Sequence, residues 1–225
     1  MKALVVIPAF NEEKKIADVL RGIPARVNSA ELDVLVINDG SNDGTDKVVR
    51  DLGVKMINHP VNRGLGAALG TGFEYARRQD YDLLVTLDAD GQHDPSEIDR
   101  LVEPVTGGRA DFVVGTRIFK KGMPLTRKIL TLMASLATFS LSGVWTTDSQ
   151  SGFRAFSRRA IENIFVEVDR MEVSSDFFRQ ANENNLKIVE IEITPIYTEY
   201  SKRKGQNFLN SFNIIGKLAF RRLIK

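Results

Sequence analysis

The stretch LLVTLDADGQHDP, at residues 83–95, joins an apolar run directly to a group of carboxylates. Leucine and valine fill most of residues 83–87, which is typical of a central parallel strand covered on both faces. Alternate residues of an extended chain point to the same side, so Asp88 and Asp90 are expected to project together from the carboxyl end of this strand. Open α/β sheets bind ligands at that end. The spacing is suited to an oxygen site for Mg²⁺ or Mn²⁺, although on its own it more often marks loop or capping residues. The strand before it strengthens the metal interpretation, and the motifs described below strengthen it further.

Composition narrows the classes of function. The chain has 225 residues, enough for one large domain or two small ones. It contains no cysteine, which excludes disulfides, zinc–thiolate sites and thiol nucleophiles. His59 and His93 are the only histidines, so neither a Ser-His-Asp hydrolase nor a histidine-rich metal site is expected. The amino terminus has no signal-peptide pattern, and we expect a cytoplasmic protein.

Basic residues are concentrated at the carboxyl terminus. The net charge is +2, yet no acidic residue follows Glu199, and seven lysines and arginines give the last segment a charge of +7. The remaining chain has 24 basic and 29 acidic residues, a net charge of −5. A basic tail on an acidic body suggests an anionic partner for that end: phosphate groups, a lipid surface or nucleic acid.

Strand and helix patterns alternate along the first half of the chain. The strand patterns lie at residues 2–7, 32–37, 54–57 and 83–87. Their alternation with helical segments predicts the α/β class, with a mostly parallel central sheet and helices on both faces. The first helix is expected to begin at Asn11, which is a good N-cap, and to end near residue 21.

The helix after the third strand carries small residues on one face, which allows close approach to a neighbouring backbone. These residues are Ala67, Ala68, Gly70 and Gly72. Gly64, Gly66 and Gly70 also resemble a dinucleotide-binding fingerprint, but the last interval is one residue too long. They follow the third strand instead of the first, so a Rossmann dehydrogenase is rejected.

Polar side chains also follow the first two strands, at residues 8–12 and 38–43. Together with the acids after the central strand, three strand ends would converge on one crevice. Asp39 lies against its strand end and is interpreted as a ligand of a base or ribose, because acids bind sugar hydroxyls in nucleotide folds. Asp43 lies further on and is interpreted as a cap of the next helix.

Six segments occur in the order IPAFNEE, VINDGSNDGT, NRGLGAALGTGFEYA, LDADGQHDP, VVGTR and DSQSGFRAF. As an ordered set they resemble family-2 glycosyltransferases, in particular polyprenyl-phosphate sugar transferases of the dolichol-phosphate mannosyltransferase type. The resemblance covers roughly residues 3–200. It implies a single GT-A-type nucleotide-sugar-binding domain over residues 1–200, a UDP- or GDP-linked sugar donor, a divalent metal, and inversion at the anomeric carbon.

The resemblance implies donor-binding roles near the amino terminus. Pro8, Ala9 and Glu12 match the first motif, which lies beside the donor base in the family. Asp39 matches the acid that contacts the base or ribose. Asn38 departs from the pattern, since many relatives have Asp there, but the second acid is the one expected to contact the ligand.

The same resemblance implies the metal and phosphate residues. Asp88 and Asp90 match the metal and diphosphate motif, and Gln92 matches a polar residue that helps to hold the metal. Arg117 matches an arginine near the donor phosphates, and its planar fork suits phosphate oxygens; a surface arginine is the alternative. His93 precedes the Asp-Pro start of the next helix, so we expect it to be packed or exposed and not metal-bound.

The acceptor half contains an uncharged stretch at residues 129–147. Its serines and threonines recur at helical spacing and form a weakly polar stripe: Thr131, Ser135, Thr138 and Ser142. Arg127, Lys128 and Trp145 flank it and are residues common at membrane interfaces. A segment at about 123–147 is therefore predicted to be a helix, or a broken helix pair, at a membrane surface or over the acceptor groove. A buried core helix is the alternative.

Within the resemblance, the segment at residues 148–154 matches the acceptor side of the family. Arg127 is the candidate to hold the lipid phosphate of a polyprenyl or dolichyl phosphate acceptor. Asp148 and Ser151 are also assigned to the acceptor side. Arg154 is assigned to the acceptor side as well, with two alternatives: it stabilises the fold, or it contacts the donor phosphates.

The last segment, residues 201–225, is predicted to be a basic loop and an amphipathic helix. The apolar positions on one face of that helix are Phe208, Phe212, Ile215, Ala219 and Leu223. Such a helix fits an anionic membrane surface, with packing on the catalytic domain as the alternative. Lys202 and Arg203 are candidates to close over the donor phosphates. A long apolar carboxyl-terminal pair of spans is absent from this sequence, so we expect a peripheral protein on the inner face of a membrane.

Three other functions were weighed. A soluble glycosyltransferase acting on a carbohydrate hydroxyl would need a carboxylate base, for which Asp148 and Asp176 are candidates. A nucleotidyltransferase would carry a glycine-rich basic loop after the first strand, and IPAFNEE is not one. A nucleic-acid-binding module would explain the basic tail but leave the acidic strand ends without a role, so no nucleic-acid partner is expected.

Overall fold

The computed structural model describes residues 1–27, 30–117, 125–166 and 172–196. The strands are β1 (Ala3–Ala9), β2 (Arg26–Val27), β3 (Ala30–Asn38), β4 (Lys55–Asn58), β5 (Leu83–Thr86), β6 (Phe112–Thr116), β7 (Arg154–Ser157) and β8 (Ile188–Glu192). The helices are α1 (Ile16–Gly22), α2 (Thr45–Asp51), α3 (Leu65–Arg78), α4 (Ile98–Thr106), α5 (Leu125–Ser142), α6 (Arg158–Asn163) and α7 (Val173–Glu183). A 3₁₀ turn at Pro95–Glu97 leads into α4.

The strands form one mixed sheet in the order β2-β3-β1-β5-β7-β6-β8, and β4 also pairs with β3. The pairs of β1 with β3 and β5, of β3 with β4, and of β6 with β8 are parallel. Strand β7 runs antiparallel to both of its neighbours, and β2 runs antiparallel to β3. The predicted α/β class with a mostly parallel sheet is confirmed, and β5 lies near its centre.

Helices cover both faces of the sheet because residues of each strand alternate between two apolar clusters. In β1, Val5 and Ile7 pack with α1, α2 and α4, whereas Leu4 and Val6 pack with α3, α6 and α7. A Cβ atom at Gly72 would lie only 2.4 Å from a methyl carbon of Val6. The small face of α3 therefore allows the close approach that the sequence predicts.

The first helix begins later than predicted. Asn11 was expected to cap it, but α1 starts at Ile16. The backbone of Asn11 has a φ of 56°, in the left-handed region, and its side-chain oxygen accepts a hydrogen bond from the N–H of Asn42 at 2.9 Å. Asn11 thus joins the β1–α1 connection to the β3–α2 connection instead of capping a helix.

Asp43 binds the start of the next helix, but from the position before the N-cap, which is Gly44. Its Oδ1 accepts a hydrogen bond of 3.0 Å from the N–H of Thr45, the first residue of α2, and its Oδ2 accepts one of 3.2 Å from the N–H of Glu13. Burial alone would raise the pKa of Asp43, but these hydrogen bonds, with one from the Thr45 hydroxyl, lower it overall.

Helix α5 turns its polar stripe inward and its apolar face outward. The stripe of Thr131, Ser135, Thr138 and Ser142 is buried. Thr138 Oγ1 lies 2.8 Å from Ser175 Oγ on α7, and the Asn182 amide donates to the Ser142 carbonyl at 3.0 Å. The large apolar side chains on α5 and just beyond it are exposed: Ile129, Leu132, Met133, Leu136, Phe139 and Trp145. A helix buried in the core is therefore wrong for this segment.

None of the helices in the described ranges is both long and apolar enough to cross a lipid bilayer. The predicted loop and amphipathic helix at residues 201–225 lie outside the described residues.

Candidate active site

The carboxyl ends of four strands lie at one edge of the sheet. Strands β1, β3 and β5 are parallel neighbours, and β6 runs in the same direction because β7 is antiparallel to both β5 and β6. The polar segments after β1, β3 and β5 therefore lie at the same edge of the sheet. Arg117, which follows β6 directly, lies at the same edge.

Asp90 and Gln92 lie together in a tight turn after β5. The turn is closed by Gly91, whose φ of 72° favours glycine. Asp90 Oδ1 accepts a hydrogen bond from the backbone N–H of Gln92 at 2.9 Å, and Asp90 Oδ2 contacts the Gln92 side-chain amide. The two predicted metal ligands therefore lie side by side, with the amide nitrogen of Gln92 towards Asp90, and their binding of one ion stays a prediction.

Asp88 contacts a buried histidine. Its Oδ2 lies 3.3 Å from His93 Nε2; the Asp88 side chain is 33% exposed, whereas that of His93 is fully buried. The His93 ring packs on the ring of Phe153, with centroids 5.4 Å apart. His93 is therefore packed, as expected, but its contact with Asp88 was not foreseen.

Gly152 lies directly behind Asp88. A Cβ atom at Gly152 would lie within 2.4 Å of the carboxylate carbon and both oxygens of Asp88. The Gly152 carbonyl also accepts a hydrogen bond from Thr86 Oγ1 at 2.8 Å, which fixes the backbone of this segment against β5. The Asp88 carboxylate can therefore occupy this position only because Gly152 has no side chain.

The two aspartates differ in their electrostatic environment. Burial alone would raise the pKa of Asp88, but the hydrogen bond and charge of His93 outweigh it, together with the positive charges of Arg117 and Arg154. The pKa of Asp88 is therefore lowered. Burial, and then repulsion from Asp88, raise the pKa of Asp90. The repulsion between the two carboxylates is a cost that a divalent cation beside Asp90 would relieve.

The donor set also fits such an ion. Carboxylate and amide oxygens are the ligands that Mg²⁺ and Mn²⁺ prefer. No group of three or more histidine, aspartate or glutamate side chains able to hold a metal occurs within the described part of the chain. An ion at Asp88 and Asp90 would therefore need further oxygens from water or from a bound substrate, as is common for Mg²⁺ beside phosphates.

Arg117 is held by a bidentate ion pair. Its Nε and one terminal nitrogen lie 2.7 and 2.9 Å from the two carboxylate oxygens of Asp148. The side chains of Arg117 and Asp148 are 10% and 0% exposed. Arg117 is thus not the surface arginine that was the alternative. Asp148 is enclosed and paired, so it is wrong as an accessible general base.

The segment at residues 148–154 is mostly buried beside the site, where Gly152 packs against Asp88 and Asp148 pairs with Arg117. Ser151 is fully buried, and Arg154 is 1% exposed on β7. Arg154 donates to the Ser149 carbonyl and to Ser174 Oγ, both at 3.0 Å, and burial lowers its pKa to about 10. Asp148, Ser151 and Arg154 are all buried, and their contact with an acceptor stays a prediction. Support of the fold is the role that fits Arg154.

Asp176, the other candidate base, is occupied elsewhere. It lies in the first turn of α7, and its carboxylate accepts hydrogen bonds from Arg179 and from the side-chain amide of Gln180, both at 2.7 Å. The same Gln180 amide nitrogen donates to the carbonyl of Phe165 at 2.6 Å. Asp176 therefore anchors α7 to the segment after α6, which argues against a role as a base.

The first motif lies at the carboxyl end of β1. Pro8 and Ala9 end β1 and pair with Ile37 and Asn38 of β3. Glu12 is buried, and its backbone N–H donates to Thr45 Oγ1 at 2.9 Å. These contacts place all three predicted donor residues at the strand edge, and their contact with a base stays a prediction.

Asp39 organises the loop that follows β4. Its carboxylate accepts hydrogen bonds from the N–H groups of Arg63 and Gly64, at 3.0 and 2.7 Å. It also lies 2.7 Å from His59 Nδ1, and His59 Nε2 lies 2.9 Å from Thr71 Oγ1 on α3. The Asp39 side chain is only 5% exposed. A direct contact between Asp39 and a base or ribose stays a prediction, whereas its role in holding this loop was not predicted.

Three predicted site residues are not described at side-chain level. Arg127 lies in the first turn of α5, but its side chain is outside the described residues. Lys202 and Arg203 lie outside them altogether. The sequence did not predict the roles of His59 and Gly152 or the contact of His93 with Asp88. The only sequence signals for them were two isolated histidines and one glycine within a polar segment.

Comparisons with known proteins agree with this geometry. The family model "Glycosyl transferase family 2" matches residues 4–165. The UDP-N-acetylglucosamine–dolichyl-phosphate N-acetylglucosaminyltransferase of Methanococcus voltae is 36% identical over 98% of this chain and 96% of its own. The polyprenol monophosphomannose synthase of Mycolicibacterium smegmatis is 33% identical over 92% of this chain and 82% of its own.

A solved structure shows the same fold. Glucosyl-3-phosphoglycerate synthase from Mycobacterium tuberculosis superposes with a TM-score of 0.69 at 21% identity, over 98% of this chain and 79% of that one. Crystals of that synthase contain Mn²⁺ and UDP. The likeness establishes the GT-A-like fold, and the family match covers the strand ends described above. The chain belongs to glycosyltransferase family 2 and is a glycosyltransferase.

Proposed function

We propose that this protein transfers a sugar, with inversion, from a UDP- or GDP-linked donor to a polyprenyl phosphate such as a dolichyl phosphate. The observation that carries this proposal is the carboxylate pair of Asp88 and Asp90 at the end of the central strand, with the arginine of the Arg117–Asp148 pair acting electrostatically on Asp88. The names of the M. voltae and M. smegmatis relatives, which specify dolichyl phosphate and polyprenol monophosphate, support this acceptor class.

Asp88, Asp90 and Gln92 are the residues that would hold Mg²⁺ or Mn²⁺. A bound divalent cation supplies charge neutralisation for the diphosphate leaving group. Arg117 adds a fixed positive charge at the same edge of the sheet, because Asp148 holds its guanidinium in place. The base and ribose of the donor would bind at the ends of β1 and β3, beside Pro8, Ala9, Glu12 and Asp39.

A phosphate acceptor would need no carboxylate of the protein as its base. The second ionisation of a phosphate monoester lies at ~6, so the nucleophilic oxygen is already ionised near neutral pH. A sugar hydroxyl would instead need a carboxylate to remove its proton. The two candidates for that role, Asp148 and Asp176, are engaged by Arg117 and Arg179. This favours the phosphate acceptor over the hydroxyl acceptor.

The outward face of α5 supports a membrane-bound acceptor. Leu136 and Trp145 are 56% and 55% exposed, and Phe139 lies edge-on to Trp145 at 6.0 Å. Exposed apolar patches of this kind mark interaction sites, and tryptophan is enriched at bilayer interfaces. Helix α5 contains two basic residues, Arg127 and Lys128, and no acidic residue. We propose that this face rests on an anionic membrane surface, with the protein peripheral on the cytoplasmic side.

The remaining assignments concern side chains that the structure does not describe. Arg127 is proposed to bind the lipid phosphate near the membrane. Lys202 and Arg203 are proposed to add positive charge at the donor phosphates. The basic segment at residues 201–225 would strengthen attachment to anionic lipid by ~1 kcal/mol for each basic residue near the surface.

A transfer assay tests the proposal. The protein is incubated with Mn²⁺ or Mg²⁺, a panel of UDP- and GDP-sugars, and anionic liposomes with or without polyprenyl phosphate, and sugar transfer into the lipid phase is followed. Metal-dependent transfer to the lipid phosphate is the expected result and identifies the donor. Binding of a nucleotide sugar without transfer to lipid phosphate would overturn the proposed acceptor.

A further inference from the structure

The turn that carries Asp148 is clamped by a glutamate on the neighbouring edge strand. Glu190 lies on β8, opposite Val114 of β6. Both of its carboxylate oxygens are used. Its Oε1 accepts hydrogen bonds from the Thr147 N–H at 2.6 Å and from the hydroxyl of Thr146, and its Oε2 accepts one from Thr147 Oγ1 at 2.8 Å. Hydrogen bonds to an ionised carboxylate are among the stronger ones in proteins.

The same turn is tied to the strand that leads into Arg117. Thr147 Oγ1 lies 2.8 Å from the hydroxyl of Thr116, the last residue of β6. Asp148, the next residue of the turn, forms the bidentate pair with Arg117, and its Oδ2 also accepts from the Arg117 backbone N–H at 3.3 Å. The clamp on Thr147 therefore fixes both Asp148 and the start of the segment that bears Arg117.

We propose that Glu190 is a positioning residue for Arg117, acting through Thr147 and Asp148 to fix the plane and direction of the guanidinium group. This inference rests on the proposed function, in which Arg117 binds the donor phosphates. Side-on pairing through Nε and one terminal nitrogen defines a guanidinium plane only if the paired carboxylate is itself held. In this protein the carboxylate of Asp148 is held by the turn, and the turn is held by Glu190.

A purely structural role for Glu190 is the competing explanation, and Asp111 provides a matched control. Asp111 lies just before the opposite end of β6, and its carboxylate likewise joins a hydroxyl and a backbone N–H of neighbouring segments. It accepts hydrogen bonds from Ser157 Oγ and from the Lys187 N–H, both at 3.0 Å. Asp111 also pairs with Arg159 at 3.3 Å, so its loss should disturb the fold at least as much as the loss of Glu190. Of the two acids, only Glu190 is linked to the Asp148–Arg117 pair.

The test compares Glu190→Ala, Glu190→Gln and Thr147→Val with Asp111→Ala. Glu190→Gln keeps the side-chain shape, and Thr147→Val removes only the hydroxyl that joins Glu190 to Thr116. The first measurement is the NMR signal of Arg117 Nε–H in the protein without nucleotide, which reports on the ion pair independently of activity. The second is the affinity for UDP and GDP in the presence of Mn²⁺, with uridine and guanosine as ligands that lack phosphate.

We expect the three variants of the clamp to shift or broaden the Arg117 Nε–H signal and Asp111→Ala to leave it unchanged. Glu190→Ala should weaken diphosphate binding about tenfold and nucleoside binding little. In the double variant with Arg117→Ala, removing Glu190 should cause no further loss, because Glu190 acts through Arg117.

An unchanged Arg117 signal in Glu190→Ala, or additive losses in the double variant, would overturn the positioning role while leaving the proposed function intact. A wild-type protein that binds neither UDP nor GDP and transfers no sugar would overturn the proposed function and this inference with it.

Discussion

The Asp88 carboxylate occupies the space that a side chain at Gly152 would need. An ideal Cβ atom at Gly152 would lie 2.2 and 2.3 Å from the two carboxylate oxygens. Gly152 belongs to the connection into β7, which pairs with β5, and Asp88 follows β5. The backbone at Gly152, just before β7, therefore packs directly against the carboxylate of Asp88, just after β5.

Gly152→Ala is expected to displace Asp88 and impair catalysis strongly. The added methyl group should cost about 1–3 kcal/mol of stability through overpacking. A shift of about 1 Å in a catalytic group can cost on the order of 100-fold in rate, so kcat/KM should fall by about that factor. Steady-state kinetics and thermal unfolding measure the two effects.

Gly70→Ala is the control for this substitution. A Cβ atom at Gly70 would meet Val166 at an ordinary contact distance of 3.4 Å, and alanine favours a helix more than glycine. This variant should keep full activity and equal or higher stability. Full activity in Gly152→Ala would show that Asp88 needs no fixed position.

Local sequence patterns were sufficient to predict the position of Asp88 but not its surroundings. The apolar run of β5 and the carboxylates that follow it can be recognised from neighbouring residues alone, and the same holds for the ends of β1 and β3. The insertion of β7 between β5 and β6 depends on contacts between residues about 70 positions apart, such as Leu84 with Phe156. No local pattern encodes that order, so the role of Gly152 was not predicted.

For helix α5, the sequence predicted the polar stripe but not which face of the helix is buried. The spacing of Thr131 and Ser135 predicted a polar stripe, and periodicity alone does not say which face is buried. The stripe lies inward because its hydroxyl groups find partners there, such as Ser135 Oγ, which accepts from the Ser149 N–H at 3.3 Å. The start of α1 differed because Asn11 bonds to a distant loop instead of to its own helix.

Asp90→Asn is expected to raise the stability of the metal-free protein and to abolish metal-dependent sugar transfer. Burial and the neighbouring Asp88 raise the pKa of Asp90 above its ordinary value of 3.8. The folded protein therefore binds a proton more readily than the unfolded chain, and the stability of the wild type should fall as pH rises above that value. The variant lacks this decline and should unfold at a temperature a few degrees higher near neutral pH.

Thermal unfolding from pH 4 to 8 in the presence of EDTA measures this effect, and added Mn²⁺ with UDP or GDP provides the second arm. The wild type should be stabilised by metal and nucleotide together, because a ligand that binds only the folded state raises its stability. Asp90→Asn should show little such stabilisation and no metal-dependent transfer. Equal metal-dependent activity in the variant and the wild type would refute the metal assignment.

Leu136→Glu is expected to reduce binding to liposomes without destabilising the fold. Leu136 is 56% exposed at the centre of the outward face of α5, so its replacement should change stability by about 0.5 kcal/mol or less. A charge at that position opposes insertion of the face into the interface of an anionic bilayer. Flotation with anionic liposomes measures the binding, and circular dichroism checks the fold.

Gln79→Glu adds the same charge at an exposed position after α3 and should leave liposome binding unchanged. Thr138→Val, on the inward face of α5, should lower stability by about 1 kcal/mol through loss of its contact with Ser175, again without an effect on lipid binding. Wild-type flotation of Leu136→Glu would exclude the α5 face as the membrane contact.

His59→Phe is expected to weaken nucleotide binding by releasing the loop that Asp39 holds. The substitution keeps a ring in a buried position but removes the 2.7 Å contact with Asp39 and the 2.9 Å contact with Thr71. Hydrogen exchange of the Arg63 and Gly64 amides, which donate to Asp39, reports on the loop directly. Both amides should exchange faster, and nucleotide affinity should fall about tenfold through the lost hydrogen bonds. Thr71→Val keeps the contact between His59 and Asp39 but removes the hydroxyl that contacts His59 and donates to the Ala67 carbonyl, and should have a smaller effect on both measurements. Faster exchange with unchanged affinity would show that the donor does not depend on this loop.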